Sequence, residues 1–156
     1  MTIIAFDGTT MAGDRASWCG STAHPTRKVY RLDEHELPFT SKSVLVGFAG
    51  TSWFCFAVLE WMRKGGPYPQ CPPDDKGKSC ALIVDSRRRI WRLAADSPIA
   101  EPVLDRKTAF GATVGQAMAY GYMAAGGSAA GAVALCVKHT DIAGIGVDVI
   151  SFKGAG

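Results

Sequence analysis

No two cysteines of this chain are spaced Cys-x-x-Cys, and the five present (Cys19, Cys55, Cys71, Cys80 and Cys136) are an odd number. An odd count without that spacing fits reduced thiols in a cytoplasmic protein. His24, His35 and His139 share no metal-ligand spacing with these cysteines or with one another, so no metal site is expected. A large excess of charge of either sign is missing as well. The formal net charge is +3, and the only basic run, Arg87-Arg88-Arg89, falls where a hairpin turn is expected. A solvated loop accounts for it, and a nucleic-acid partner is not expected. No nucleotide-binding motif occurs, so no nucleotide cofactor is expected. Met1 is not followed by a basic stretch and an apolar core, so no secretory leader is expected.

Charge is absent altogether from Thr108 to Val137, a stretch long enough on paper to span a bilayer. It is dominated by Ala and Gly, has few bulky apolar side chains, and is interrupted by Gly126-Gly127-Ser128. Two small-residue helices that approach closely in a core explain it better than a membrane span.

What is present is an ordinary globular composition: 47% hydrophobic and 20% charged over 156 residues, read as a single domain, 1–156. Thr2–Phe6 reads as a strand, Asp7-Gly8 as a tight turn, and Thr9–Ala12 as the returning strand, with Asp14 just past it. Trp18–Thr26 reads as a loop and Lys28–Leu32 as a strand. Ser43–Phe48 is an apolar, buried strand. Thr51 or Ser52 can cap a helix running to about Lys64, with Phe54, Ala57, Val58 and Trp61 on one face, stopped by Gly65-Gly66-Pro67. Residues 67–78 read as an exposed loop. Ala81–Val84 and Ile90–Leu93 form a second hairpin, and Lys107–Gly111 a short strand. Helices follow at about Val114–Ala125 and Ser128–Lys138, and Val147–Phe152 alternates as a last strand. Segregated helices and hairpin-linked strands predict antiparallel sheets with helices packed outside, a layered α+β arrangement.

Thr2 stands out chemically. If Met1 is removed, Thr2 carries a free α-amine beside its own hydroxyl. With a pKa of about 8, such an amine can accept a proton near neutral pH. Nucleophile and base then share one residue.

The runs "MTIIAFDGTTMAGD", "TRKVYRL" and "LVGFAGTSWFCFAVLEWM", followed by the segment from Ala109 to Phe152, resemble the proteasome β-subunit family. That family includes the bacterial HslV-type peptidases and short proteasome-like proteins of bacteria and phages, all N-terminal nucleophile (Ntn) hydrolases. The resemblance covers most of the chain and is weakest from Gly66 to Leu104. It implies a four-layer αββα sandwich of antiparallel sheets and a threonine peptidase. Carried over by motif, Thr2 is the nucleophile, and Asp14 in "AGD" is the acidic partner. Lys28 in "RKV" is the buried lysine, Gly47 in "VGFAG" the oxyanion donor, and Asp141 in "TDIAG" the acid of the C-terminal loop. Leu45 and Ala49 would line a pocket for apolar side chains. No cofactor is implied. The implied partners are a peptide or unfolded protein substrate, further copies of the chain in a ring or stacked homo-oligomer, and a separate ATPase unfoldase. Trp53, Phe54 and Trp61 are candidates for assembly contacts, with the core as their alternative. Two family hydroxyls are missing, since Ala112 and Ala143 stand where serines support the nucleophile. A catalytically silent assembly protein and a small-molecule Ntn amidase are therefore the competing readings.

Overall fold

The computed structural model describes residues 2–141 and 143–153. Met1, and with it the question of its removal, lies outside them. The chain is mixed α+β, with three helices and several antiparallel sheets.

The N-terminal sheet begins with β1 (Ile3–Phe6) and β2 (Thr10–Asp14). Between them Asp7 acts as the turn residue: its carboxylate accepts the Thr9 and Thr10 N–H groups at 2.9 and 2.8 Å. The segment expected as a loop is instead a hairpin, β3 (Ala16–Cys19) and β4 (Thr22–Pro25), turning at Gly20. Most of its residues are exposed, so no alternation of apolar and polar residues marks it in the sequence. The second sheet opens with β5 (Val29–Leu32) and β6 (Val44–Ala49). It continues through β7 (Cys80–Asp85), β8 (Ile90–Ala94) and β9 (Ala100–Val103), in the order β5-β6-β7-β8-β9. The sequence does not announce β9, because Pro102 lowers its strand signal. Its place at the sheet edge is where a proline is tolerated. The strands β10 (Thr108–Gly111) and β11 (Val147–Ser151) complete the first sheet, β10-β1-β2-β11.

Helix α1 (Ser52–Lys64) is capped by Thr51, whose hydroxyl accepts the Phe54 N–H at 3.3 Å, and it ends at Gly65. Its buried stripe is Phe54, Cys55, Val58, Leu59 and Met62. The expected stripe through Ala57 and Trp61 is rotated: both residues are only half-buried, and Trp61 packs edge-on against Tyr68. Helices α2 (Thr113–Ala124) and α3 (Ala129–His139) pack on each other. A Cβ on Gly131 would come within 2.8 Å of the Tyr122 ring, the close approach that the small-residue composition foretold. Ser128 caps α3 through the Gly131 N–H, and Asp7 accepts the Ala129 N–H at 2.8 Å. None of the described helices is long and apolar enough to cross a membrane.

Three apolar clusters show how the elements face one another. Ile3, Ala5, Ala12 and Ala109 pack with Ala119, Met123 and Val133 of α2 and α3. Ile4, Phe6 and Met11, on the opposite face of the first sheet, pack with Val29, Leu45, Leu82 and Val84 of the second. Val44, Val46, Phe48 and Ile83 then meet Phe54, Val58 and Met62 of α1. Strands buried on both faces explain the near-continuous apolar runs IIAF and VLVGFA.

Candidate active site

Thr2 stands immediately before β1 and is 8% exposed. Its carbonyl accepts the Ala112 N–H at 3.1 Å, which ties it to the start of α2. Gly111 makes that contact available. Its φ is +141°, and a Cβ there would lie 1.9 Å from the Thr2 carbonyl oxygen.

Asp14 ends β2 and is fully buried. Its Oδ1 accepts the Ile3 N–H at 2.9 Å, and its Oδ2 accepts the Ala16 N–H at 3.1 Å. Lys28 comes from the residue before β5 and is also buried. Its ammonium donates to both Asp14 oxygens at 3.0 and 2.9 Å and to the Thr2 Oγ1 at 2.8 Å. Burial lowers the Lys28 pKa from its usual value, and the attraction of Asp14 only partly opposes that shift. A cation of weakened proton affinity, hydrogen-bonded to a hydroxyl, eases ionisation of that hydroxyl.

Thr2, Asp14 and Lys28 are thus brought together. Gly47 lies within the sheet, opposite Val29 on one side and Leu82 on the other, and a Cβ there would strike Ile4. It borders neither cavity at Thr2. Asp141 is exposed, and no hydrogen bond among the described residues joins it to Thr2, Asp14 or Lys28. The C-terminal loop reaches the cluster through its backbone instead: the Gly144 N–H points to the Asp14 Oδ2 at 3.4 Å. Ala143 is buried in the cluster beneath α2 and α3.

Two cavities meet at Thr2, of about 340 and 540 Å³. The smaller is walled by Trp18, Arg27, Phe48, Cys55 and Phe56. The larger is walled by Ala49, Lys78, Leu82, Arg92 and Gln116. Among the described residues, only Thr2 and Gly50 border both. Leu45, expected at a pocket, is instead sealed between the two sheets, while Ala49 does line the larger cavity. Of the aromatic assembly candidates, Phe54 is core, Trp53 is exposed and Trp61 half-buried. Gly50, which follows the last residue of β6, reads in the sequence as a strand-ending glycine, and only its surroundings in the fold set it apart. Among the described residues no three His, Cys, Asp or Glu side chains are grouped to hold a metal ion.

No protein-family model and no curated protein matches this sequence. The fold is similar to that of Thiobacillus denitrificans BPH in complex with epoxomicin, with a TM-score of 0.68, 16% identity, and 99% of each chain covered. It is likewise similar to a second structure of Thiobacillus denitrificans BPH, with a TM-score of 0.64, 14% identity and 99% of each chain covered. At these identities the likeness is one of fold, and it extends over nearly the whole chain.

Proposed function

We propose that this chain is an N-terminal threonine hydrolase of the proteasome β-subunit type, a four-layer αββα Ntn fold in a single domain that cleaves peptide bonds. The observation that carries this reading is the Lys28 ammonium, held by Asp14 and donating to the Thr2 hydroxyl at 2.8 Å. The fold likeness to a protein that binds epoxomicin supports it.

In this mechanism the Thr2 Oγ attacks the substrate carbonyl carbon, and its proton passes to the α-amine freed by loss of Met1. Lys28 stabilises the developing alkoxide. The tetrahedral oxygen is received by the backbone N–H of Gly50, just past the end of β6, rather than by Gly47, whose place is in the sheet ladder. Collapse breaks the C–N bond, and the leaving amine takes the proton from the α-ammonium. Water then attacks the Thr2 ester, releases the acid and restores the hydroxyl. Peptides or unfolded proteins are the proposed substrates. A cytoplasmic homo-oligomer served by a separate ATPase unfoldase is the proposed setting.

A second reading, a silent assembly protein of the same fold, is favoured by Ala112 and Ala143 in place of hydroxyls and by the exposed Asp141. The intact mass of the purified protein comes first, to establish whether Met1 is lost. Met1-free protein is then tested on fluorogenic peptides and with epoxomicin. Hydrolysis and one epoxomicin adduct per chain, both abolished in Thr2→Ala, support the hydrolase. Met1-free protein inert to both leaves the assembly reading.

A further inference from the structure

The loop between α1 and β7 buries a carboxylate that the proposed mechanism does not use. Asp75 ends a short turn, Pro73–Asp75, and is only 4% exposed. No cation pairs with it among the described ion pairs. Its Oδ1 accepts the Ser79 hydroxyl at 2.6 Å, and its Oδ2 accepts the Thr51 hydroxyl at 2.9 Å. Ser79, itself buried, accepts the Thr51 N–H at 2.9 Å, which closes the circuit.

This circuit ends on the peptide bond between Gly50 and Thr51. With the Thr51 N–H fixed on Ser79, planarity of that peptide fixes the direction of the Gly50 carbonyl. Gly50 is pressed against the same serine. Its φ is +120°, and a Cβ there would fall 2.0 Å from the Ser79 Oγ. Gly50 also lines both cavities that Thr2 lines. Capping α1 requires only the Thr51 hydroxyl on the Phe54 N–H. A buried carboxylate without a cation is costly, and a cap alone does not call for one.

We propose that Asp75, acting through Ser79 and Thr51, is a positioning residue that holds the Gly50 backbone against Thr2 for catalysis. The proposal rests on the reading of Thr2 as the nucleophile. Because the proposed mechanism places the tetrahedral oxygen on the Gly50 N–H, holding Gly50 against Ser79 is expected to act on the transition state more than on substrate binding.

The test uses Met1-free protein and a fluorogenic peptide hydrolysed by the wild type. Ser79→Ala and Asp75→Asn are expected to lower kcat by about tenfold or more per folded molecule, with KM changed by less than about threefold. Thr51→Ser keeps the hydroxyl and the N–H, so it should stay near wild type. Asp75→Asn preserves side-chain volume and keeps the test open if Ser79→Ala folds poorly. An unchanged kcat per folded molecule in both variants, with only a lowered Tm, would overturn the proposal and leave the circuit a structural brace. An inert wild type with Thr2 exposed would instead refute the reading of Thr2, and this inference with it.

Discussion

The Lys28 ammonium spans two residues far apart in the chain, reaching the Thr2 hydroxyl at 2.8 Å while both oxygens of Asp14 grip it from the other side. A buried lysine in this position is stable only while the carboxylate stays beside it. Asp14 in turn is anchored by N–H groups of β1 and of the segment after β2.

Removing the cation therefore affects stability as well as chemistry. Lys28→Met should abolish hydrolysis and destabilise the fold by about 3–5 kcal/mol, because it strands a buried charge. Adding Asp14→Asn to that variant should recover part of the stability and none of the activity. Urea unfolding of the single and double variants, beside the peptide assay, checks both statements. A double variant no more stable than Lys28→Met would contradict the stranded-charge explanation.

Two glycine substitutions should act in opposite directions. Gly111→Ala places a methyl 1.9 Å from the Thr2 carbonyl at a φ of +141°. It should cost at least about 1–3 kcal/mol and displace the nucleophile. Gly121→Ala, on α2 with nothing within 4 Å of the new Cβ, should stabilise by up to about 1 kcal/mol. Thermal unfolding of the two variants measures the contrast.

Acid should loosen the joint between the β1–β2 turn and α3. Burial disfavours the charged form of Asp7, yet hydrogen bonds from Ala129, Thr10 and Thr9 outweigh it and hold its carboxyl well below the usual range. A carboxyl whose pKa is depressed in the fold contributes stability above its unfolded value of about 3.9. That contribution is lost as pH falls below about 4 toward the folded value. Asp7→Ala should lower stability at neutral pH and flatten this acid-side decline. Parallel slopes for wild type and variant between pH 5 and about 2 would rule Asp7 out as the source.

Thiol reactivity should separate the cysteines by position. Cys55 borders the smaller cavity, and burial pushes its thiol up to about 11 despite a contact with the Tyr30 hydroxyl. Cys136 is fully enclosed and likewise raised by burial. Cys19 is exposed on the β3–β4 hairpin. Iodoacetamide at pH 8, followed by peptide mass mapping, should label Cys19 first and leave Cys55 and Cys136 unmodified until the chain unfolds. Early labelling of Cys55 would show that the cavity opens readily to solvent.

Much of the architecture was legible because local patterns and tertiary demands agree. The alternation of Val147–Phe152, a cap at Thr51 or Ser52, the Gly65-Gly66-Pro67 stop and the charge-free Ala and Gly helices are short-range signals, and each led to an element that the fold retains, with Thr51 as the cap. The β3–β4 hairpin, β9 and the rotation of the α1 stripe were not legible. An exposed ribbon has no burial period, an edge strand can contain proline, and the α1 stripe depends on which sheet side chains meet the helix.

At the candidate site the sequence by itself determined the chemical types available: a threonine at position 2, an acid after the second strand, a lysine before β5 and glycines after β6. Only the tertiary structure decided which of them meet. Thr2 and Lys28 lie 26 residues apart in the chain, and their hydrogen bond exists because two sheets stack face to face. The second sheet pairs Gly47 within its own ladder, Gly50 lines both cavities that Thr2 lines, and Asp141 is exposed. The fold also brings Asp75 and Ser79, from the loop between α1 and β7, against Thr51 at the start of α1. Hydrogen bonds across such distances depend on where strands end in space, and no local propensity encodes that.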